Sequence, residues 1–256
     1  MIELANEIGL DKALIDKLEK TDITDNTLDN LDNYNDLTKL AVCLKYAKNI
    51  TQKEYEKLAI PREVFIDTMK DIAIWCENNG NKGLKNHKWI CNHLLLKLFK
   101  IGRLQYQMYK CENDTLDYVC LPFDYGDNLV YIHIPQGEKL RYEACLQSLS
   151  QAKHFFEEYF PEFEYTYFFC ESWLLYRENQ LFMSPDSNIL QFQLLFDIVY
   201  SAPDDKQAIE RIFDKKHILP LLYPKKTSLQ KQAKRFMMKG GKLGIGIGLI
   251  HKSDIL

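Results

Sequence analysis

The chain has 256 residues, 46% apolar and 12% aromatic, with a formal net charge of −3. That composition excludes a disordered chain and supports one large or two smaller domains with a substantial core. The charge argues against broad non-specific nucleic-acid binding, although Lys215–Lys242 holds nine Lys/Arg and no acid and reads as solvated surface or a local phosphate-facing patch.

Residues 1–100 are helical in pattern. Helices are expected over about Ile2–Leu10, Leu37–Tyr46 and Thr51–Leu58, with Thr51 and Glu54 spaced as a capping box. Asp22–Tyr34 reads as turns. Pro61 suits the first turn of a helix that carries Val64, Met69, Ile72 and Trp75 inward and stops at Asn78-Asn79-Gly80. A last helix is expected over about Lys88–Lys100, anchored by Trp89, Leu94, Leu98 and Phe99. Trp75 and Trp89 suit either an acceptor pocket or simple bracing.

Near residue 100 the period changes to two. Arg103–Tyr109, Leu116–Pro122 and Asn128–Ile134 alternate as strands of a meander. Pro135-Gln136-Gly137 breaks the third. A helix is then expected from about Glu138 to Phe160, with Cys145, Leu149, Ala152 and Phe156 as its buried stripe. Tyr165–Glu171 reads as a further strand, so the unit is strand, crossover helix, parallel strand. Further on, Leu174–Phe182, Leu190–Leu195 and Asp204–Phe213 suggest helices, and Phe196–Ser201 suggests a strand. Thr227 and Gln230 form a capping box. Leu243–Ile250, with alternate glycines, closes the chain as a strand packed closely on one face.

The chemistry concentrates where that crossover helix begins. Backbone N–H groups at a strand end and helix start suit an anion such as a pyrophosphate, and Gly137 allows close approach. His133, one residue from the strand end, suits taking a proton from an amine, or core packing. Glu171, at the end of the other strand, suits the same role, or a surface carboxylate. Cys170 reads as a small buried residue and Ser172 as a cap. The glycines at 244, 246 and 248 do not precede a helix and are no dinucleotide fingerprint. The histidines show no metal-ligand spacing. Cys43, Cys76, Cys91, Cys111, Cys120, Cys145 and Cys170 include no CxxC and read as free, mostly buried thiols. The charged N-terminus and the lack of a bilayer-length apolar run point to the cytoplasm, with no membrane partner and no nucleic acid.

Several segments together carry a resemblance. They are Pro61-Arg-Glu-Val64 with Asp67-Thr68 and Trp75, Gly102-Arg-Leu-Gln105, His133-Ile-Pro-Gln-Gly137 with Leu140, and Ser148-Leu149 with Ala152 and Phe155-Phe156. Cys170-Glu-Ser-Trp-Leu-Leu175, Ser187-Asn-Ile189 with Phe192, Leu219-Pro220 and Thr227-Ser-Leu-Gln230 complete the set. Over roughly residues 50–250 the chain resembles bacterial putative acyltransferases that join a helical N-terminal domain to a GNAT-like C-terminal domain. The resemblance implies an α+β fold with helices over 1–100 and a GNAT-like mixed sheet over 101–256, built on the strand–helix–strand core. It implies a CoA-dependent N-acyltransferase, with acyl-CoA as donor and a small-molecule or peptide amine as acceptor. Acyl-CoA would slot between two splayed parallel strands, with Gln136, Gly137 and Lys139 near its pyrophosphate. Backbone N–H groups of that strand, at Ile132 and Ile134, would hold the thioester carbonyl, and His133 or Glu171 would take the amine proton. The usual Arg/Gln-x-x-Gly-x-Gly/Ala loop is reduced here to Gln136-Gly137. The alternative is a catalytically inactive GNAT-like binding or regulatory protein, whose cleft Tyr131 or Phe169 would fill.

Overall fold

The computed structural model describes residues 1–21, 27–111 and 121–255. These fall into two compact units. The first holds 1–108, 133–137 and 154–162; the second holds the intervening stretches and the C-terminal part.

In the first unit, α1 (Ile2–Glu7) and α2 (Lys12–Glu19) precede α3 (Asp36–Tyr46), α4 (Gln52–Lys57), α5 (Arg62–Asn78) and α6 (His87–Leu94). One expected gap is absent. A π-turn over Ala47–Thr51 joins α3 to α4 without a break, because no glycine or proline interrupts Leu37–Leu58. Thr51 is therefore helical and not a cap. Its buried hydroxyl donates to the Leu94 carbonyl at 2.8 Å. Pro61 stands at the N-cap of α5 as its fixed φ favours.

The helix expected to run to Lys100 ends at Leu94. Leu96 takes φ 55°, and the apolar run that follows becomes β1 (Leu98–Ile101). It pairs antiparallel with β2 (Leu104–Lys110), with Ile101 opposite Leu104. A short apolar run does not reveal its period, so helix and strand look alike there. Thr68 on α5 accepts the Lys100 N–H at 2.9 Å and fixes the hairpin to the helix. Phe99, fully buried, meets Phe155 at 4.9 Å and Phe160 at 5.1 Å between ring centroids.

The second unit is built on a mixed sheet. β3 (Asn128–His133), β4 (Tyr167–Ser172), β6 (Ile245–His251) and β5 (Asp197–Ala202) lie side by side in that order. β3 and β4 are parallel; β4–β6 and β6–β5 are antiparallel. The crossover between the parallel pair is α7 (Tyr142–Tyr159), whose Cys145, Leu149, Ala152 and Phe156 are all buried. Helix and sheet therefore follow the predicted stripe. The start differs: α7 begins at Tyr142, four residues beyond Glu138, after a loop in which Gly137 takes φ 111°. The strand expected over Leu116–Pro122 lies mostly outside the described residues, and Leu121 and Pro122 are in no strand.

Beyond β4, Leu174–Phe182 is not one helix but two 3-10 turns, Trp173–Leu175 and Arg177–Leu181. Ser172 caps the first by accepting the Leu174 N–H. The Asn179 amide, buried, donates to the Trp173 and Leu174 carbonyls, which favours the tight turns over a regular helix. α8 (Asn188–Gln193), α9 (Lys206–Phe213) and α10 (Ser228–Met238) complete the unit, and the Thr227/Gln230 capping box is present. The glycines of β6 are explained by close packing. A Cβ on Gly246 would lie 2.2 Å from the Leu175 carbonyl oxygen. Only hydrogen fits there.

Candidate functional site

β4 is bonded differently along its two edges. Against β6 it is registered without a break from Tyr167–His251 to Ser172–Gly246. Against β3, among the described residues, the ladder holds Val130–Phe168 and Tyr131–Phe169 alone. Among the described residues, no ladder pair joins Ile132 to Cys170 or the residues beyond. The parallel β3–β4 ladder is thus two pairs long, with neither Leu129–Tyr167 nor Ile132–Cys170 paired, while β4 is paired along its whole length on its other side. Open α/β sheets commonly hold ligands at the carboxyl ends of such strands.

Tyr131 lies in the last pair of that ladder. Its ring meets Phe169 edge-on at 4.9 Å and Tyr109 at 5.6 Å. Its hydroxyl accepts the backbone N–H of Glu171. Burial, and then the Cys170 thiol, the Glu171 carboxyl and the Tyr109 phenol, push the phenol up. The ring belongs to an apolar cluster with Leu129, Phe169, Ile247 and Leu249.

Glu171 is half-buried, and its carboxyl is raised above the usual carboxylate range, first by burial and then by the like charge of Asp204. Ile132 is buried in β3. Lys139 is exposed in the loop before α7, beside exposed Glu138 and Arg141. These residues belong to the second unit. His133, Ile134, Gln136 and Gly137 belong to the first, so the predicted set is divided between the two.

In the first unit, His133 Nε2 lies 2.8 Å from Gln107 Oε1. With that oxygen accepting, Nε2 carries the proton. The Trp89 ring meets the imidazole edge-on at 4.9 Å. His133 is pushed down to about 3, chiefly by burial and then by the like charge of His93, with Asp71 opposing. It is a neutral imidazole at neutral pH. Gln136 Oε1 accepts from Asn78 Nδ2 at 3.1 Å, and buried Arg103 donates from Nη1 to the Pro135 carbonyl at 3.2 Å. Both contacts fix the His133–Gly137 loop. Gly137 has nothing within 4 Å of a would-be Cβ; its positive φ, not crowding, is what favours glycine.

Beside His133 lies a polar network that sequence reasoning missed. Asp71 Oδ2 accepts from Trp89 Nε1 at 2.7 Å and Trp75 Nε1 at 3.1 Å, and lies 3.2 Å from His93 Nε2. His93 Nδ1 faces the Trp89 carbonyl at 3.2 Å, and Gln105 Nε2 is 3.4 Å from His93 Nε2. Asp71 and His93 are buried. Burial alone would raise the Asp71 carboxyl, but the bond and charge of His93, with Trp89 and Gln105, leave it below its ordinary value. The available signal was spacing. Asp71–Trp75 and Trp89–His93 are both i,i+4, so each pair shares a helix face. Among the described residues no group of three or more His, Cys, Asp or Glu is placed to hold a metal ion.

Comparison with known proteins fits these findings. The chain matches the N-acyltransferase N-terminal domain over residues 3–96 and the GNAT-like C-terminal domain over residues 98–250. No curated protein matches it in a sequence search. Among solved structures, an acyltransferase in complex with decanoyl-CoA and teicoplanin matches with TM-score 0.77 at 19% identity, over 97% of this chain and 86% of that one. An acyltransferase with CoA and 10C-teicoplanin matches with TM-score 0.78, again at 19% identity over 97% and 86%. A complex with decanoyl-CoA gives TM-score 0.76 at 18% identity over the same shares. At such identity the likeness establishes the fold. With its sheet, crossover helix and helical first unit matched in order, the chain belongs to the family that joins an N-acyltransferase N-terminal domain to a GNAT-like C-terminal domain.

Proposed function

We propose that this protein is an acyl-CoA-dependent N-acyltransferase acting on an amine. The observation that carries the reading is the short β3–β4 ladder beside a β4 still fully registered on β6. Strand residues without ladder pairs can offer backbone N–H and C=O groups to a guest, and buried peptide groups need partners. An acyl-CoA's extended pantetheine arm supplies such partners. The similar structures that hold decanoyl-CoA add support.

In this reading Ile132 and Ile134 offer backbone N–H groups to the thioester carbonyl. Gln136, Gly137 and Lys139 lie in the loop that would meet the pyrophosphate. The amine attacks the carbonyl carbon, a C–N bond forms, the C–S bond breaks and CoA leaves as the thiol after protonation. Glu171 takes the proton from the amine. Its raised carboxyl suits that task at neutral pH better than His133, which burial keeps neutral and weakly basic. The division into a helical part over 1–100 and an acyltransferase part over 101–256 belongs to the same proposal.

A second reading has one specific observation in its favour. The Glu171 N–H is already met by the Tyr131 hydroxyl, as in a GNAT-like shell that has lost its donor site. The two readings separate in a titration calorimeter and a thiol-release assay. The acyltransferase reading expects saturable heat with acetyl-, octanoyl- or decanoyl-CoA, and CoA release once an amine is present. No heat and no thermal stabilisation with any of the three would overturn it.

A further inference from the structure

We infer that the loop between α9 and α10 is an attachment point for an anionic lipid surface. The segment from Lys215 to Lys226 reads Lys-Lys-His-Ile-Leu-Pro-Leu-Leu-Tyr-Pro-Lys-Lys. Two lysines stand on each side of an apolar centre. In the fold that centre points outward: Ile218 is 94% exposed, Leu219 57%, Leu221 65% and Leu222 56%.

The exposure is built in. Pro220–Leu222 forms a 3-10 turn, closed by Leu222 N–H to the Leu219 carbonyl and Tyr223 N–H to the Pro220 carbonyl, at 3.0 and 3.2 Å. Lys234 of α10 donates to the Leu221 and Tyr223 carbonyls at 2.6 and 2.7 Å. Tyr223 is buried against Phe213, ring centroids 4.4 Å apart, and against His217 at 5.0 Å. The carbonyls of Leu219, Pro220, Leu221 and Tyr223 are thus met from within, and the tyrosine anchors the base. The four aliphatic side chains are left with water, an arrangement that marks an interaction site.

The charges name the partner. Lys215, Lys225 and Lys226 are exposed beside the aliphatic centre. Lys216 is committed to Asp205, 2.9 Å from both carboxylate oxygens. No acid occurs from Lys215 to Lys242, although the whole chain is net acidic. An exposed apolar run flanked on both sides by exposed lysines suits a bilayer interface with acidic headgroups. A protein partner would be expected to meet a broader, flatter face. This is attachment to a surface and not a span; among the described residues no helix is long and apolar enough to cross a membrane.

Co-sedimentation of the full chain with vesicles tests it. Phosphatidylcholine vesicles containing phosphatidylglycerol should carry the protein down, and pure phosphatidylcholine vesicles should do so far less. Leu221→Ser with Leu222→Ser should abolish binding, with the thermal midpoint unchanged because both side chains are exposed. Lys225→Glu with Lys226→Glu should weaken it by about fivefold or more per lysine. Equal partitioning of the wild type and both variants would overturn the inference, as would no sedimentation with acidic vesicles. So would a lipid-free dimer, seen by light scattering, that the double serine variant dissolves, since the tip would then be a protein contact.

Discussion

Two carboxyl groups, one in each unit, have opposite circumstances. Asp71 is buried and surrounded by donors: two indole N–H groups and the His93 imidazole. Its environment favours the charged form. Glu171 is half-buried, meets the like charge of Asp204, and is raised towards the neutral form. The difference separates two uses of a carboxylate. Fully paired, it holds helices α5 and α6 together. Half-buried at a strand end beside a like charge, it is the group that the proposed reaction would use to take a proton.

The comparison is broken most severely at Asp71. Asp71→Ala leaves two indole donors and a buried histidine without their acceptor, so stability should fall by about 3–5 kcal/mol in a urea titration. Glu171→Gln should leave the fold intact yet lower the turnover of acyl-CoA with an amine about a hundredfold or more. A Glu171→Gln variant with wild-type turnover would remove it as the base.

The pH dependence of stability sharpens the contrast with a smaller effect. Asp71 is lowered on folding, so its stabilisation is present above its unfolded value and fades as pH falls through the lowered folded value. Glu171 is raised, so its contribution is full below its unfolded value and is lost as pH rises through the raised folded value. Thermal midpoints across pH should therefore show Glu171→Gln gaining on the wild type towards neutral pH, with no gain in acid. The smallest effect belongs to Tyr131→Phe. It removes the hydroxyl that meets the Glu171 N–H, changes stability by about 1 kcal/mol or less, and should tighten acyl-CoA binding if that hydroxyl competes with the donor. Unchanged affinity in calorimetry would mean that the phenol does not contest the proposed site.

Much of the fold was legible in local chemistry. The stripe Cys145–Phe156, the Thr227/Gln230 cap and the alternate glycines of β6 each state a local requirement, and the structure meets each one. The β1 hairpin was not legible, because Leu98–Ile101 is too short to reveal a period and a tertiary bond from Thr68 holds it. Thr51 matched a capping pattern but found a buried carbonyl instead. The site was legible only in part. Strand ends and a loop can be read from alternation and proline, so His133 and Glu171 came into view. The Asp71–His93 network depends on bringing α5, α6 and β2 together, and no single stretch of sequence contains that information.

The donor site proposed between β3 and β4 is tested most directly by amide hydrogen exchange with and without decanoyl-CoA. The account predicts slowed exchange in peptides covering Ile132–Ile134 and Cys170–Ser172, while the β6-paired start of β4 is unchanged. Identical exchange in both peptides at saturating decanoyl-CoA would contradict it.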